Sequence, residues 1–192
     1  KELLNSLGFP SEYTPDLVQS ATSLINNKQL VWGRWSAGRL QNERITVTYA
    51  QGFSDGREVT IGNDNYVLFR VEHGSKEISP KVGILGFNLA QAQATLQTSS
   101  GSELMDVYGG LLNIDFEESY FSTSLQLGHP STGKFDYTDG GRLFAGGIFR
   151  HLSDDKKTVG SLSIDGTEAG YFFETKVDAG KIEGLTLWSV KP

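Results

Sequence analysis

Apolar and polar positions alternate along this chain with a period of two, most regularly between Val107 and Glu174. In LLNIDF, Leu112, Ile114 and Phe116 fall on one face and Asn113, Asp115 and Glu117 on the other, the pattern of a strand buried on one side. Glu118-Ser119 then turns the chain into YFSTSLQL, whose Phe121, Leu125 and Leu127 point in while Tyr120, Ser122, Ser124 and Gln126 point out. Asp139-Gly140 and Asp165-Gly166 are read as hairpin dipeptides, since both residue types reach positive φ at low cost. The segments GKFDY, GRLFAGGIF, TVGSLSI, EAGYFFET and IEGLTLWSV continue the pattern, so the region reads as a β-meander.

Upstream, LVWGRWSAGRL starts the strands, with Val31 and Trp35 on one face and Trp32, Arg34 and Ser36 on the other. ITVTYA turns Ile45, Val47 and Tyr49 inward, and YVLFRVEH, after the SDGRE turn, brings Val67, Phe69 and Val71 to the same side. Residues 82–97 exceed an ordinary strand, so Gly83 and Gly86 are read as a bulge or corner within them. From Asn88 the alternation is strict, with Ala90, Ala92, Ala94 and Leu96 inward against Leu89, Gln91, Gln93, Thr95 and Gln97. Small inward residues leave room for a bulky neighbour, a helix or a ligand, and Trp35 or the N-terminal helix is expected to fill it. The inward set comprises Ile45, Val47, Val67, Phe69, Val71, Leu112, Ile114, Phe116, Phe121, Leu125 and Leu187.

Residues 1–30 follow a different period. Pro15, Leu17, Val18, Ala21, Leu24 and Ile25 are spaced for a helix of about three turns, capped by Thr14 and ended at Asn26-Asn27. About ten strands follow, which suits a barrel or a two-sheet sandwich. The expected fold is all-β: an antiparallel meander closing into a barrel of roughly 8–10 strands with a short N-terminal helix. The 192 residues fit a single domain, 1–192, with 1–30 helical and 31–192 forming the barrel.

Composition narrows the function. A net charge of -6 argues against nucleic acid, whose phosphates require a basic stripe. The absence of cysteine excludes thiol catalysis, Cys-based zinc sites and a disulfide framework. No apolar run approaches the roughly 20 residues of a spanning helix, and no outward aromatic girdles mark a membrane barrel. The chain begins at Lys1, has its single Met at 105 and shows no signal peptide, so it is expected to be a piece of a longer protein.

Candidate chemistry is sparse. Gly33 to Gly38 resembles a nucleophile elbow around Ser36, but the spacing is Gly-x-x-Ser-x-Gly and no helix follows. Gly33-x-Trp35 also resembles the opening of lipocalins, against the simpler reading of two Trp side chains anchoring the first strand. His73, His129 and His151 sit at separate strand ends or turns, with no mutual metal-ligand spacing. Glu117-Glu118 and Asp154-Asp155 are adjacent carboxylates in turns, and consecutive strand residues point oppositely, so neither pair converges on a substrate. Asn63-Asp64-Asn65 and Asp154-Asp155 carry oxygens suited to calcium without EF-hand spacing. In Tyr171-Phe172-Phe173 at least one ring must face outward, to an interface or, as preferred, beneath the N-terminal helix. No catalytic residue, metal ligand or cofactor is therefore expected, and ligand-binding residues are left unassigned.

The stretches GGLLNIDFEESYFSTSLQL, GGRLFAGGIF and TVGSLSIDGTEAGYFFE, within residues 107–174, resemble the β-barrel domain of transferrin-binding protein B-like bacterial surface proteins. Asp115-Phe116 and Ser124-Leu125 match its strand-turn-strand unit, and Gly160, Gly166, Glu168, Gly170 and Phe172 approximate its later glycine-rich turn. The resemblance covers about a third of the chain and implies a non-catalytic β-barrel domain of a bacterial envelope or surface protein. That domain would lie in the periplasm or at the cell surface, as a protein- or ligand-binding module whose partner is another protein or a small ligand. The alternatives are a lipocalin-like carrier of an apolar ligand and a structural spacer in a larger chain.

Overall fold

The computed structural model describes residues 29–34, 56–62 and 66–192. The expected N-terminal helix, the ITVTYA strand with Ile45 and Val47, Trp35, Ser36 and Asn63-Asp64-Asn65 lie outside the described residues. The chain divides into two compact units, Lys1–Lys76 and Glu77–Pro192.

In the first unit, β1 (Leu30–Arg34), β2 (Arg57–Gly62) and β3 (Tyr66–Val71) form an antiparallel sheet in the order β1-β3-β2. Val31 and Val59 both pair with Phe69, which puts these three side chains on one face. Behind β3, Arg70 holds Glu72 through Nη2 at 2.8 Å, and both side chains are buried. The single sheet expected from Val31 to Val190 is thus divided. Among the described residues these three strands pair only with one another, and the closed sheet begins at Ile84.

The second unit is an eight-stranded antiparallel barrel. Its strands are β4 (Ile84–Thr98), β5 (Gly101–Asp115), β6 (Tyr120–His129), β7 (Gly133–Leu143), β8 (Ile148–Leu152), β9 (Lys156–Leu162), β10 (Glu168–Val177) and β11 (Gly180–Val190). Each strand pairs with the next, and β11 closes the ring on β4 from Lys181↔Gln97 to Val190↔Phe87. Closure leaves no terminal strand in the ring, so an open edge is limited to the part of β7 beyond its two pairs with β8. The expected turns at Glu118-Ser119 and Asp165-Gly166 are present, with Ser119 at φ 51° and Gly166 at φ 71°.

Four local expectations are corrected. Asp139-Gly140 is no turn: both residues lie inside β7 and pair with Thr123 and Ser122. Residues 82–97 contain one long strand, and its irregularity is at Ala90, which has no partner between Leu89↔Trp188 and Gln91↔Leu187. That bulge reverses the parity, leaving Ala90 exposed while Ala92 and Ala94 face Thr186 and Gly184. Leu187 pairs with Gly170 on the outer face, and its neighbour Trp188 enters the core instead. Finally, Glu168, which the resemblance puts in a glycine-rich turn, starts β10, as the EAGYFFET strand reading has it.

The interior is dense. Phe87, Leu112, Ile114, Phe121, Leu125, Phe149, Tyr171, Phe173 and Trp188 have no more than 0% exposure. Each such side chain contributes about 1.5–3 kcal/mol through burial. The expected inward residues Leu112, Ile114, Phe121 and Leu125 are among this set, and Phe116 packs partly buried against it.

Candidate functional site

Large rings occupy the centre of the barrel. Trp188 stacks on Tyr171 at 5.7 Å, Tyr171 meets Phe173 edge-on at 6.2 Å, and Phe173 lies 4.8 Å from Tyr137. Phe149 stands 5.0 Å from Phe121 and 6.3 Å from Tyr171. The wall makes room by omission: a Cβ on Gly110 would lie 2.9 Å from Trp188 Cη2 and 2.8 Å from Leu125 Cδ2. Beside Ala94, its β11 partner Gly184 likewise leaves room for the Phe173 ring, which a Cβ there would meet at 2.6 Å.

The polar atoms among these rings satisfy one another, as buried groups must. Trp188 Nε1–H donates to Thr186 Oγ1 at 2.7 Å, and Thr186 donates to Tyr171 O at 3.1 Å. Thr123 Oγ1–H donates to Leu111 O at 2.9 Å, so the 2.7 Å contact between Tyr171 and Thr123 is donated by the tyrosine. Burial pushes the Tyr171 phenol far above its ordinary pKa. The same cause raises Tyr137, helped by the nearby Asp139 carboxylate.

Asp139 is the charged member of this interior. Its carboxylate accepts from the Gly140 N–H at 2.9 Å, from Tyr137 OH at 3.0 Å and from Thr158 Oγ1. Tyr137 and Thr158 are themselves 2.5 Å apart, and His151 Nδ1 lies 2.8 Å from Asp139 Oδ1. The cluster joins β7, β8 and β9 where their backbone pairing is thin, since β7 meets β8 only at Arg142↔Arg150 and Leu143↔Phe149. It acts as a polar seam that closes the wall.

An open cleft of about 490 Å³ lies at one barrel end, lined by Ser131, Thr132, Phe135, Lys176, Val177, Asp178, Ala179 and Ile182. His129 stands beside it. The Ser131 N–H donates to His129 Nδ1 at 3.2 Å, which assigns the ring proton to Nε2, 2.9 Å from Glu103 Oε2. Ser131 Oγ is also 2.6 Å from Nδ1. Hydroxyl, imidazole and carboxylate stand in line, as in a hydrolytic triad. The imidazole lone pair is already engaged by a backbone donor two residues away, however, so the arrangement serves to lock the Pro130–Thr132 turn.

The other sequence candidates are dispersed. His73 sits in a turn at φ 46°, in the first unit. The Glu117 and Glu118 N–H groups both donate to Asp115 Oδ1 at 3.0 Å, so this acidic turn is closed by its own aspartate. Asp155 pairs with Lys176 at 3.2 Å across an exposed surface. Tyr171 and Phe173 point into the barrel and Phe172, opposite Leu185 and Val159, points out. Among the described residues, no group of three or more histidines and carboxylates is placed to hold a metal ion. Sequence reasoning missed Asp139, Thr123 and Thr158 as interior residues. The signal was the parity of Phe135, Tyr137, Asp139 and Gly141, which share one face of β7.

The outer face of β5–β7 is rich in hydroxyl and amide groups, with Asn113, Ser122, Ser124 and Thr138 in adjacent rows. Leu111, paired with Ser124, is 51% exposed within it, and Tyr120 is 47% exposed. A Cβ on Gly140 would collide with the Tyr120 hydroxyl, so that ring lies flat along the strands.

No protein-family model matches the sequence, and no curated protein matches it. Solved structures do. A mutant of transferrin binding protein B from Haemophilus parasuis is 13% identical at TM-score 0.45, over 94% of this chain and 38% of that one. The isotype 1 transferrin binding protein B of Neisseria meningitidis is 12% identical at TM-score 0.47, over 100% of this chain and 45% of that one. A surface lipoprotein is 12% identical at TM-score 0.46, over 91% of this chain and 98% of that one. This chain spans less than half of the two transferrin binding proteins. The fold itself stands on the strand pairing described above.

Proposed function

We propose that this chain is a non-catalytic binding module of a bacterial envelope or surface protein, and that it engages a protein partner from the outside of the barrel. The observation that carries this reading is the filled interior. Trp188, Tyr171, Phe173 and Tyr137 occupy the axis with 0–1% exposure, and their polar atoms are paired with neighbours inside the barrel. A carrier of the same strand number keeps its centre open for a ligand. The outer face of β5–β7 supports the reading, because apolar anchors set among small hydroxyl side chains suit a protein interface. Outward Gln126, Lys134, Asp136 and Arg142 are unlike the apolar band of a membrane barrel.

The test compares the wild-type chain with a Leu111→Arg/Tyr120→Ser variant, each immobilised and exposed to extracellular fluid proteins. The expected result is a protein held by the wild type and lost from the variant, with unchanged circular dichroism. A partner that is retained by the variant and displaced by an apolar small molecule would favour the carrier reading.

A further inference from the structure

Strand β7 has an edge that no strand covers among the described residues. It pairs with β6 over its full length, from Gly133↔His129 to Arg142↔Tyr120, but with β8 only at Arg142 and Leu143. Strand β8 ends at Leu152, so among the described residues Gly133 to Asp139 continue without a backbone-paired strand on that side. Thr138 O faces the open side, because Lys156 Nζ reaches it there at 2.6 Å. Backbone groups two residues apart point the same way, so the N–H and C=O of Lys134 and Asp136 face that side too. Lys134, Asp136 and Thr138 are all exposed. An edge of this kind is a template for another strand.

We propose that this edge pairs with the β7 edge of a second copy of the chain, antiparallel about a two-fold axis, and that Lys156 is a latch competing with that pairing. Charge sets both the occupant and the register. Centred on Phe135, the two-fold sets Lys134 opposite Asp136 of the second copy, and the same pair recurs by symmetry. Centring on Asp136 would instead oppose two carboxylates. Opposite charges directly across strands stabilise and like charges destabilise. A two-fold contact of this sort is self-complementary and closed. Lys156 works against it in the isolated chain. Its ammonium caps the Thr138 carbonyl and lies 5.5 Å from the centre of the Tyr137 ring, across the path of an incoming strand.

The experiment is analytical ultracentrifugation of the full 192-residue chain at rising concentration. Lys156→Ala is expected to reach the dimer mass at a concentration about tenfold below the wild type, a shift worth about 1.4 kcal/mol. Asp136→Lys in the Lys156→Ala background is expected to return the chain to monomer, and adding Lys134→Asp to restore the dimer. A Lys156→Ala chain that dimerises no more readily than the wild type overturns the proposal. So does a dimer that survives Asp136→Lys, since its interface must then lie elsewhere. The charge exchange at Lys134 and Asp136, made in the wild-type background as well, keeps the test valid if Lys156→Ala fails to fold.

Discussion

The Trp188 indole lies over the Tyr171 ring, with centroids 5.7 Å apart and planes 26° from parallel, and both side chains are fully buried. The two residues come from neighbouring strands and sit diagonally, with Gly170↔Leu187 between the Ala169↔Trp188 and Tyr171↔Thr186 pairs. This contact fills the barrel beside Gly110. Trp188→Ala is therefore expected to destabilise the chain by about 3–5 kcal/mol, as truncation of a buried ring without collapse does. Urea unfolding followed by far-UV circular dichroism measures it, and a shift below about 1 kcal/mol would mean the core is not built around this ring.

Gly110 is the other half of the same contact. A methyl there meets the Trp188 ring, the Leu125 side chain and the Ser124 carbonyl, and the last of these is backbone and gives little. Gly110→Ala is expected to cost about 1–3 kcal/mol through overpacking. Trp188→Leu in the same chain should recover part of the loss, and strict additivity of the two changes would contradict the contact.

The turn before β10 depends on Gly166, at φ 71°, where a branched side chain is strained. Gly166→Val is expected to destabilise by about 1–3 kcal/mol. An unchanged denaturation midpoint would show that the turn relaxes without cost.

Much of this architecture was legible in the sequence, and the exceptions have physical causes. LLNIDF and YFSTSLQL present one apolar face each, so Leu112, Ile114, Phe121 and Leu125 fall inward as their parity requires. Around Leu185, Leu187 and Trp188 both parities are apolar, and alternation alone does not choose between them. The choice is made by the register with β10, which sets Trp188 beside Ala169. Asp139-Gly140 has the local preference of a turn, but Asp139 pairs with Thr123, sixteen positions earlier (139 − 123), and the β6–β7 ladder runs straight through it. The polar seam was hidden for the same reason, because Asp139, Thr158 and His151 come from three strands that no local pattern joins.

Tyr137 and Tyr171 make stability depend on alkaline pH. Burial, the largest cause for each, raises their folded pKa above the unfolded value of about 10. Their contribution is complete below pH about 10 and is lost as pH rises above it, because the unfolded chain then releases protons that the folded chain retains. The urea midpoint is expected to fall steeply above that pH, with a shallower fall in Tyr171→Phe. Ionisation of all seven tyrosines with the barrel still folded would contradict this.

The seam predicts coupling between Tyr137 and Thr158. Each of Tyr137→Phe and Thr158→Val leaves a buried partner short of a hydrogen bond, at about 1–3 kcal/mol. In a double-mutant cycle the two are expected to interact by about 0.5–3 kcal/mol, since both serve Asp139. Simple additivity would show that they act independently of the carboxylate.

The central claim is that this barrel is filled by its own side chains and binds from the outside. Titration with an apolar fluorescent probe tests it most directly. The account predicts no saturable one-to-one binding, and no change on Ala92→Phe beyond a loss of stability. Saturable binding at micromolar affinity that disappears in Ala92→Phe would place a ligand inside the barrel and contradict the account.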